Sequence, residues 1–208
     1  PAVQKRFNTD QPVWGALYTD MILGNYASVD ATFGARPLYE ADLLLRVKDA
    51  AINTAKTPAE VLASVDQIIP FIELPDLTVE SPPQLNGTAL SAINVGARLG
   101  VRGSPLMVPA DPAARAQLLD QLRDMNVRLV DASGVQLGGG KGADVLGHPL
   151  NAVVWLAGAL KADGLSLKPG QLVSLGSFSA LLPPKSGLKA TAHYDGVTGL
   201  KPVTVHFR

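Results

Sequence analysis

Leu38-Tyr39-Glu40-Ala41-Asp42-Leu43-Leu44-Leu45 is an apolar run interrupted by two acids one position apart, and Ile68-Ile69-Pro70-Phe71-Ile72-Glu73-Leu74 is a second such run carrying a third carboxylate. Both runs have the length and apolar content of buried strands. In an extended strand, side chains two positions apart share a face, so Glu40 and Asp42 project together. Uncompensated buried carboxylates are costly, and a divalent cation is a common compensation. Three oxygen ligands with open positions suit Mg²⁺ or Mn²⁺, which keep water or substrate in their remaining sites. The spacing equally allows an edge strand with a solvated acidic face.

The composition bounds the alternatives. The chain has 208 residues, 47% of them hydrophobic, with 18 basic and 18 acidic residues, enough to bury a core as a single domain over 1–208. A net charge of zero gives no electrostatic reason to expect nucleic acid or an anionic membrane as partner. The absence of Cys excludes disulfides, thiolate catalysis and Cys-ligated zinc, and fits a cytoplasmic location. No apolar run reaches the roughly 18 residues of a membrane span, and no signal peptide is visible.

Around the acidic strands the predicted elements are short. Pro12 to Leu23 reads as a strand with its turn, ended by Gly24-Asn25. Thr57-Pro58-Ala59-Glu60 combines an N-cap, a proline at the first helical position and a capping-box Glu, and opens a helix leading into the strand of Glu73. Thr88 to Leu99 reads as a helix stopped by Gly100, and Asp111-Pro112 as the start of a shorter one. Val127–Val130 and Val135–Leu137 flank Asp131-Ala132-Ser133-Gly134 as a hairpin. His148-Pro149 opens a helix to about Lys161 with Leu150, Val153, Val154 and Ala157 inward, and strands follow over Gln171–Phe178, Leu188–Tyr194 and Val203–Phe207. The pattern is α+β with more strand than helix and without an internal repeat.

Other motifs fail their tests. Gly138-Gly139-Gly140-Lys141-Gly142 lacks the leading Gly and trailing Ser or Thr of a phosphate loop, Val135 and Gly142 standing in those places, and is expected to be a mobile loop. His148, His193 and His206 have no ligand spacing, and His148 before Pro149 reads as a helix cap. No Gly-x-Ser-x-Gly elbow occurs. Pro1 would act as a base only if its amine were buried.

Read together, Gln11-Pro12-Val13-Trp14-Gly15-Ala16-Leu17-Tyr18-Thr19-Asp20-Met21, Glu40-Ala41-Asp42, Glu73-Leu74-Pro75-Asp76, Gly147-His148-Pro149-Leu150-Asn151-Ala152 and Leu175-Gly176-Ser177 resemble, in order and spacing, the 2-keto-4-pentenoate hydratase and 4-oxalocrotonate decarboxylase group of the fumarylacetoacetate hydrolase superfamily. The resemblance covers nearly the whole chain. It implies a mixed β-roll of the fumarylacetoacetate hydrolase C-terminal type with short flanking helices, forming a single hydratase-like catalytic domain over 1–208 whose family N-terminal helical region is missing. It implies a Mg²⁺ or Mn²⁺ ion on Glu40, Asp42 and Glu73, with Asp42 one methylene shorter than the family's Glu. Gly176 and Ser177 are the implied donors to the substrate, a 2-oxo acid. The implied activity is a lyase of the hydratase type in aromatic meta-cleavage catabolism. A decarboxylase or C–C hydrolase of the same superfamily and a non-catalytic small-acid binder stand as alternatives. A homo-oligomer is expected, as is a partner enzyme of the same pathway for the decarboxylase group.

The chain also departs from the family pattern. The family's catalytic Lys would lie just upstream of Pro1, the acid after Gln-Pro is Val13, a family Ser is Gly96, and the Arg of a Glu-x-x-Asp-Ser-Arg-like segment is absent after Asp76-Leu77-Thr78. The expectation is a better preserved metal site than proton-transfer machinery.

Overall fold

The computed structural model describes Thr9, residues 11–80 and residues 85–208; Pro1 lies outside the described residues. Eleven strands form two sheets. The first runs in the order β1 (Ile22–Gly24), β5 (Leu99–Arg102), β4 (Val65–Leu74), β3 (Glu40–Val47), β9 (Leu172–Ser174), with β6 (Leu106–Met107) also paired to β4. The second runs β2 (Ser28–Val29), β11 (Val203–Phe207), β10 (Lys189–Asp195), β7 (Asn126–Val130), β8 (Gln136–Lys141). Each sheet has one parallel pair, β1 with β5 and β2 with β11, among antiparallel neighbours, which makes the roll mixed.

The inner faces meet in one core. Ala41, Leu43 and Leu45 of β3 and Ile68 and Ile72 of β4 pack in the same cluster as Val127, Leu129, Ala190, Ala192, Val203, Val205 and Phe207 of the second sheet. Strict alternation therefore sends Glu40, Asp42 and Leu44 to the outer face of the first sheet. That face is buried too, by a separate apolar cluster of Leu44, Ile69 and Phe71 with Leu17 and Ile22. Burial on both faces explains why β3 reads as a nearly continuous apolar run.

Among the described residues four α-helices flank the sheets: α1 (Pro58–Ala63), α2 (Gly87–Ala92), α3 (Pro112–Asp124) and α4 (Asn151–Ala162). The predicted capping box opens α1, with Thr57 Oγ1 accepting from the Glu60 amide and Glu60 Oε2 from the Thr57 amide. The helix expected to open at His148-Pro149 starts at Asn151, with Leu150 as its N-cap residue and without a side-chain cap, so His148 ties down the turn before α4 rather than capping the helix. Its Nδ1 accepts from the Leu150 amide at 3.1 Å, so Nε2 carries the proton and donates to the Leu119 carbonyl at 3.1 Å. Leu150, Val153 and Ala157 are buried, while Val154 is only partly so.

Several expectations are corrected. The stretch from Pro12 is irregular as far as Tyr18, and only Ile22–Gly24 joins a sheet, because Ala16 pairs through its backbone with a side chain instead. That side chain is Asn94, whose Oδ1 accepts from the Ala16 amide at 2.6 Å and whose Nδ2 donates to the Ala16 carbonyl at 2.8 Å. Asn94 and Val95 take left-handed backbone conformations, φ 53° and 58°, so the helix expected to reach Leu99 ends at Ala92. Gly100 lies inside β5 rather than stopping a helix; a Cβ there would come within 2.0 Å of the Phe71 ring. The helix from Pro112 is the longest of the four, at 13 residues. The glycine cluster is strand β8 and not a loop, since a Cβ at Gly139 would meet the Val127 carbonyl at 2.2 Å and one at Gly140 the Phe178 carbonyl at 2.3 Å. The strand expected over Gln171–Phe178 is confined to Leu172–Ser174, ahead of Gly176 at φ 89°.

Leu150→Ala should lower unfolding free energy by about 2–5 kcal/mol, since a fully buried side chain is truncated, and urea denaturation reads it. His148→Ala should cost only about 1–2 kcal/mol, the value of the hydrogen bonds its ring makes to the Leu150 amide and the Leu119 carbonyl.

Candidate metal and substrate site

The site is set by strand register. β3 and β4 pair antiparallel with Glu40 opposite Glu73 and Asp42 opposite Phe71. Directly opposed residues share a face, so all three carboxylates lie on the outer face of the first sheet, two on one strand and one on its neighbour. Beyond Glu73 in the same row stands Gly100 of β5, leaving room for the Phe71 ring to lean over it.

Each carboxylate sits in a different environment. Asp42 is fully buried, and its oxygens are both engaged. Oδ1 accepts from the Leu43 amide at 2.6 Å, and Oδ2 accepts from the hydroxyl of Ser174 on β9. Glu40 is buried at 7% exposure, and Glu73 is partly buried. Burial raises the pKa of Asp42 well above the carboxylate range, and repulsion from Glu73 adds to it, while the Ser174 hydrogen bond opposes the shift. Burial pushes Glu73 up to about 7. Among the described residues, neither Asp42 nor Glu73 pairs with an Arg or Lys; the ion pairs lie elsewhere, at Arg46–Asp66, Lys48–Asp49, Arg123 with Asp120 and Asp124, and Arg128–Asp195.

The donor types, oxygen ligands from adjacent strands on one face, are those a hard divalent cation takes, two of them disfavoured as anions by burial. The side chains are not drawn into a closed cage. Among the described residues no three His, Cys, Asp or Glu side chains group closely enough to hold an ion, and Asp42 is turned toward β9 by Ser174.

Gly176 and Ser177 occupy the turn after β9, alongside β3. The Gly176 amide donates to Ser174 Oγ at 3.3 Å, and the Ser177 hydroxyl donates to the Ser179 carbonyl, so both donors are engaged locally. Gly96, one of the positions that depart from the family pattern, accepts from the Asp76 amide at 2.8 Å, two residues from the Asn94 that holds Ala16. Asp76 itself binds the turn before β3, accepting from the Ala35 amide at 3.1 Å and the Arg36 amide at 2.7 Å.

Two residues of the site escaped the sequence reading. Ser174 lies in register with Leu44, on the face of Asp42. Tyr194 reaches across from β10, where its hydroxyl donates to the Asp42 carbonyl and accepts from the Phe71 amide at 3.1 Å. Neither has a local signal, because each contact spans more than 120 residues of chain.

No family model matches the chain. Among curated proteins, the 2-keto-4-pentenoate hydratase of Paraburkholderia xenovorans (strain LB400) is 28% identical over 203 residues, covering 96% of this chain and 70% of that protein. The 2-hydroxyhexa-2,4-dienoate hydratase of Comamonas testosteroni is 29% identical over 190 residues, 89% of this chain and 67% of that protein. Among solved structures, 4-oxalocrotonate decarboxylase from Pseudomonas putida G7, complexed with magnesium and adipate, superposes with a TM-score of 0.82 at 24% identity, over 100% of this chain and 74% of that one. Fumarylpyruvate hydrolase from Pseudomonas aeruginosa, in complex with Mn²⁺ and pyruvate, gives 0.60 at 13% identity, over 89% and 73%. The mixed two-sheet roll and the sequence likeness along nearly its full length agree: the chain is similar throughout to members of the 2-keto-4-pentenoate hydratase and 4-oxalocrotonate decarboxylase group of the fumarylacetoacetate hydrolase superfamily.

Proposed function

We propose that the chain is a divalent-metal-dependent lyase of the 2-keto-4-pentenoate hydratase type, acting on a 2-oxo acid of the 2-hydroxydienoic class, with Glu40, Asp42 and Glu73 holding Mg²⁺ or Mn²⁺. The observation that carries this reading is the ladder pair Glu40–Glu73 with Asp42 two residues along on the same face. Hydratase relatives aligned over 89–96% of the chain support the activity. Solved neighbours holding magnesium, or Mn²⁺ with pyruvate, support the ion and the acid. Action in the cytoplasm as a homo-oligomer goes with the reading.

When bound, the cation would supply Lewis-acid stabilisation of negative charge developing on the keto oxygen of a chelating 2-oxo acid. The chain's own part is to place the carboxylates on one face in a partly dry setting, where burial disfavours their anionic forms until a cation compensates them. The Leu44–Ile69–Phe71 cluster shields one flank of the row from water, which strengthens every charge interaction there. Gly176 and Ser177 are the proposed hydrogen-bond donors to the substrate carboxylate, and Ser177 would exchange the Ser179 carbonyl for it. A 4-oxalocrotonate-type decarboxylase is the second reading, favoured by the 0.82 superposition over the whole chain; both reactions build charge on the same oxygen.

Oxalate or pyruvate should raise the melting temperature only when Mg²⁺ or Mn²⁺ is present, and Asp42→Asn should abolish the shift. A spectrophotometric screen of 2-hydroxydienoates with each metal should show loss of dienol absorbance; release of CO₂ instead would select the decarboxylase.

Stability of the metal-free protein should depend on pH through Glu73. A carboxyl raised from 4.5 to about 7 on folding binds its proton more tightly in the native state. Its contribution is therefore full below about 4.5 and lost as pH rises toward 7. Glu73→Gln should flatten that loss in denaturation curves taken across the window.

A further inference from the structure

β1 and β5 run parallel and end together, where Gly24 pairs with Arg102. The turns that leave them, through Asn25 and through Gly103-Ser104-Pro105, line an open cleft of about 300 Å³ together with Gly24 and Arg102. A Cβ at Gly24 would meet nothing within 4 Å, so the space beside Arg102 stays clear. Each polar side chain in the lining can donate, and no carboxylate is among them. Asn25 has a fixed orientation. Its Oδ1 accepts from the Tyr26 amide at 3.0 Å and from the Thr204 amide at 2.8 Å, which leaves the side-chain NH₂ as its unused group. The Ser104 turn is held too, by the Gly103 amide on the Pro70 carbonyl at 2.8 Å. Among the described residues nothing accepts from the Arg102 guanidinium, the Asn25 NH₂ or the Ser104 hydroxyl. Arginine keeps its charge in proteins, and its planar fork matches an acceptor with two oxygens.

We propose that this cleft is a binding site for a small oxyanion, a carboxylate or phosphate group, with Arg102 supplying the charge and Asn25 and Ser104 the flanking donors. The donor-only lining carries the assignment. An exposed arginine alone is simply solvated, whereas here it shares a cleft with two further donors that lack acceptors, both on segments fixed by backbone hydrogen bonds. The site stands independently of the metal reading. Arg102 lies opposite Phe71, on the outer face that bears the three acids, but the acids are not part of the cleft lining. Two sources share the chemistry, an organic dicarboxylate and inorganic phosphate.

The test is modification of the whole chain by phenylglyoxal, which attacks arginine side chains, followed residue by residue with peptide mass spectrometry at constant ionic strength. Arg98, exposed, outside the cleft and without an ion pair among the described residues, is the internal control. Succinate and inorganic phosphate are added in separate series, with chloride as the reference. At least one of them should protect Arg102 saturably, slowing its modification about tenfold at about ten times the dissociation constant, while Arg98 reacts at an unchanged rate. Protection by succinate alone names a carboxylate as the ligand, and protection by phosphate alone names a phosphate. Asn25→Asp keeps the acceptor that the Tyr26 and Thr204 amides use and replaces the donor by an anion, so it should remove the protection with little change in melting temperature. Absence of protection in both series, equal slowing at Arg98 and Arg102, or undiminished protection in N25D overturns the proposal.

Discussion

The antiparallel register of β3 against β4 is the constraint on which the molecule depends. A slip of β3 by one residue would turn Leu43 and Leu45 out of the inter-sheet core and send Glu40 and Asp42 into it. The side chains that make the slip prohibitive are the apolar ones on the inner face. The acids are thus held in place by the burial of their neighbours, and the site is a by-product of core packing that cannot drift while the core is intact. Tyr194 reinforces the arrangement from the opposite sheet by bonding the backbone of the Asp42–Phe71 pair.

Much of this was legible in the chain. The period-two spacing of Glu40 and Asp42 named their shared face, and local chemistry named the ends of elements: the Thr57–Glu60 box, the Asp111 cap on the Ala114 amide and the Asp131 turn. These signals work because donor and acceptor lie within a few residues of each other. The face of Glu73 relative to the pair was not readable from spacing alone, because it depends on register between two strands. The resemblance supplied it as an expectation, and the ladder supplies its geometry.

What was misread has a common cause in long-range contact. The glycines at 138–140 resemble a flexible loop in any window of sequence, yet their lack of side chains serves the close approach of β7 and of the Phe178 carbonyl. The helix expected through Leu99 has the right apolar spacing, but Asn94 spends its amide on Ala16, 78 residues away, and the backbone takes the left-handed turn this requires. Ser174 and Tyr194 escaped for the same reason. Their sequence neighbourhoods describe ordinary strand residues, and only the stacking of β9 beside β3 and of one sheet on the other brings them to Asp42.

The Tyr194 contact also bears on motion. Its phenol ring crosses the core from β10, so the backbone at Asp42 and Phe71 cannot separate without withdrawing a buried hydroxyl from its partners and disturbing the packing of both sheets. Opening at the acidic row is thereby joined to opening of the whole roll, which predicts slow amide exchange along the row. The Gln11–Tyr18 stretch, hung from Asn94 by a side chain, can shift without opening this frame, whereas the Gly176–Ser179 turn shares backbone bonds with β3 and moves with it.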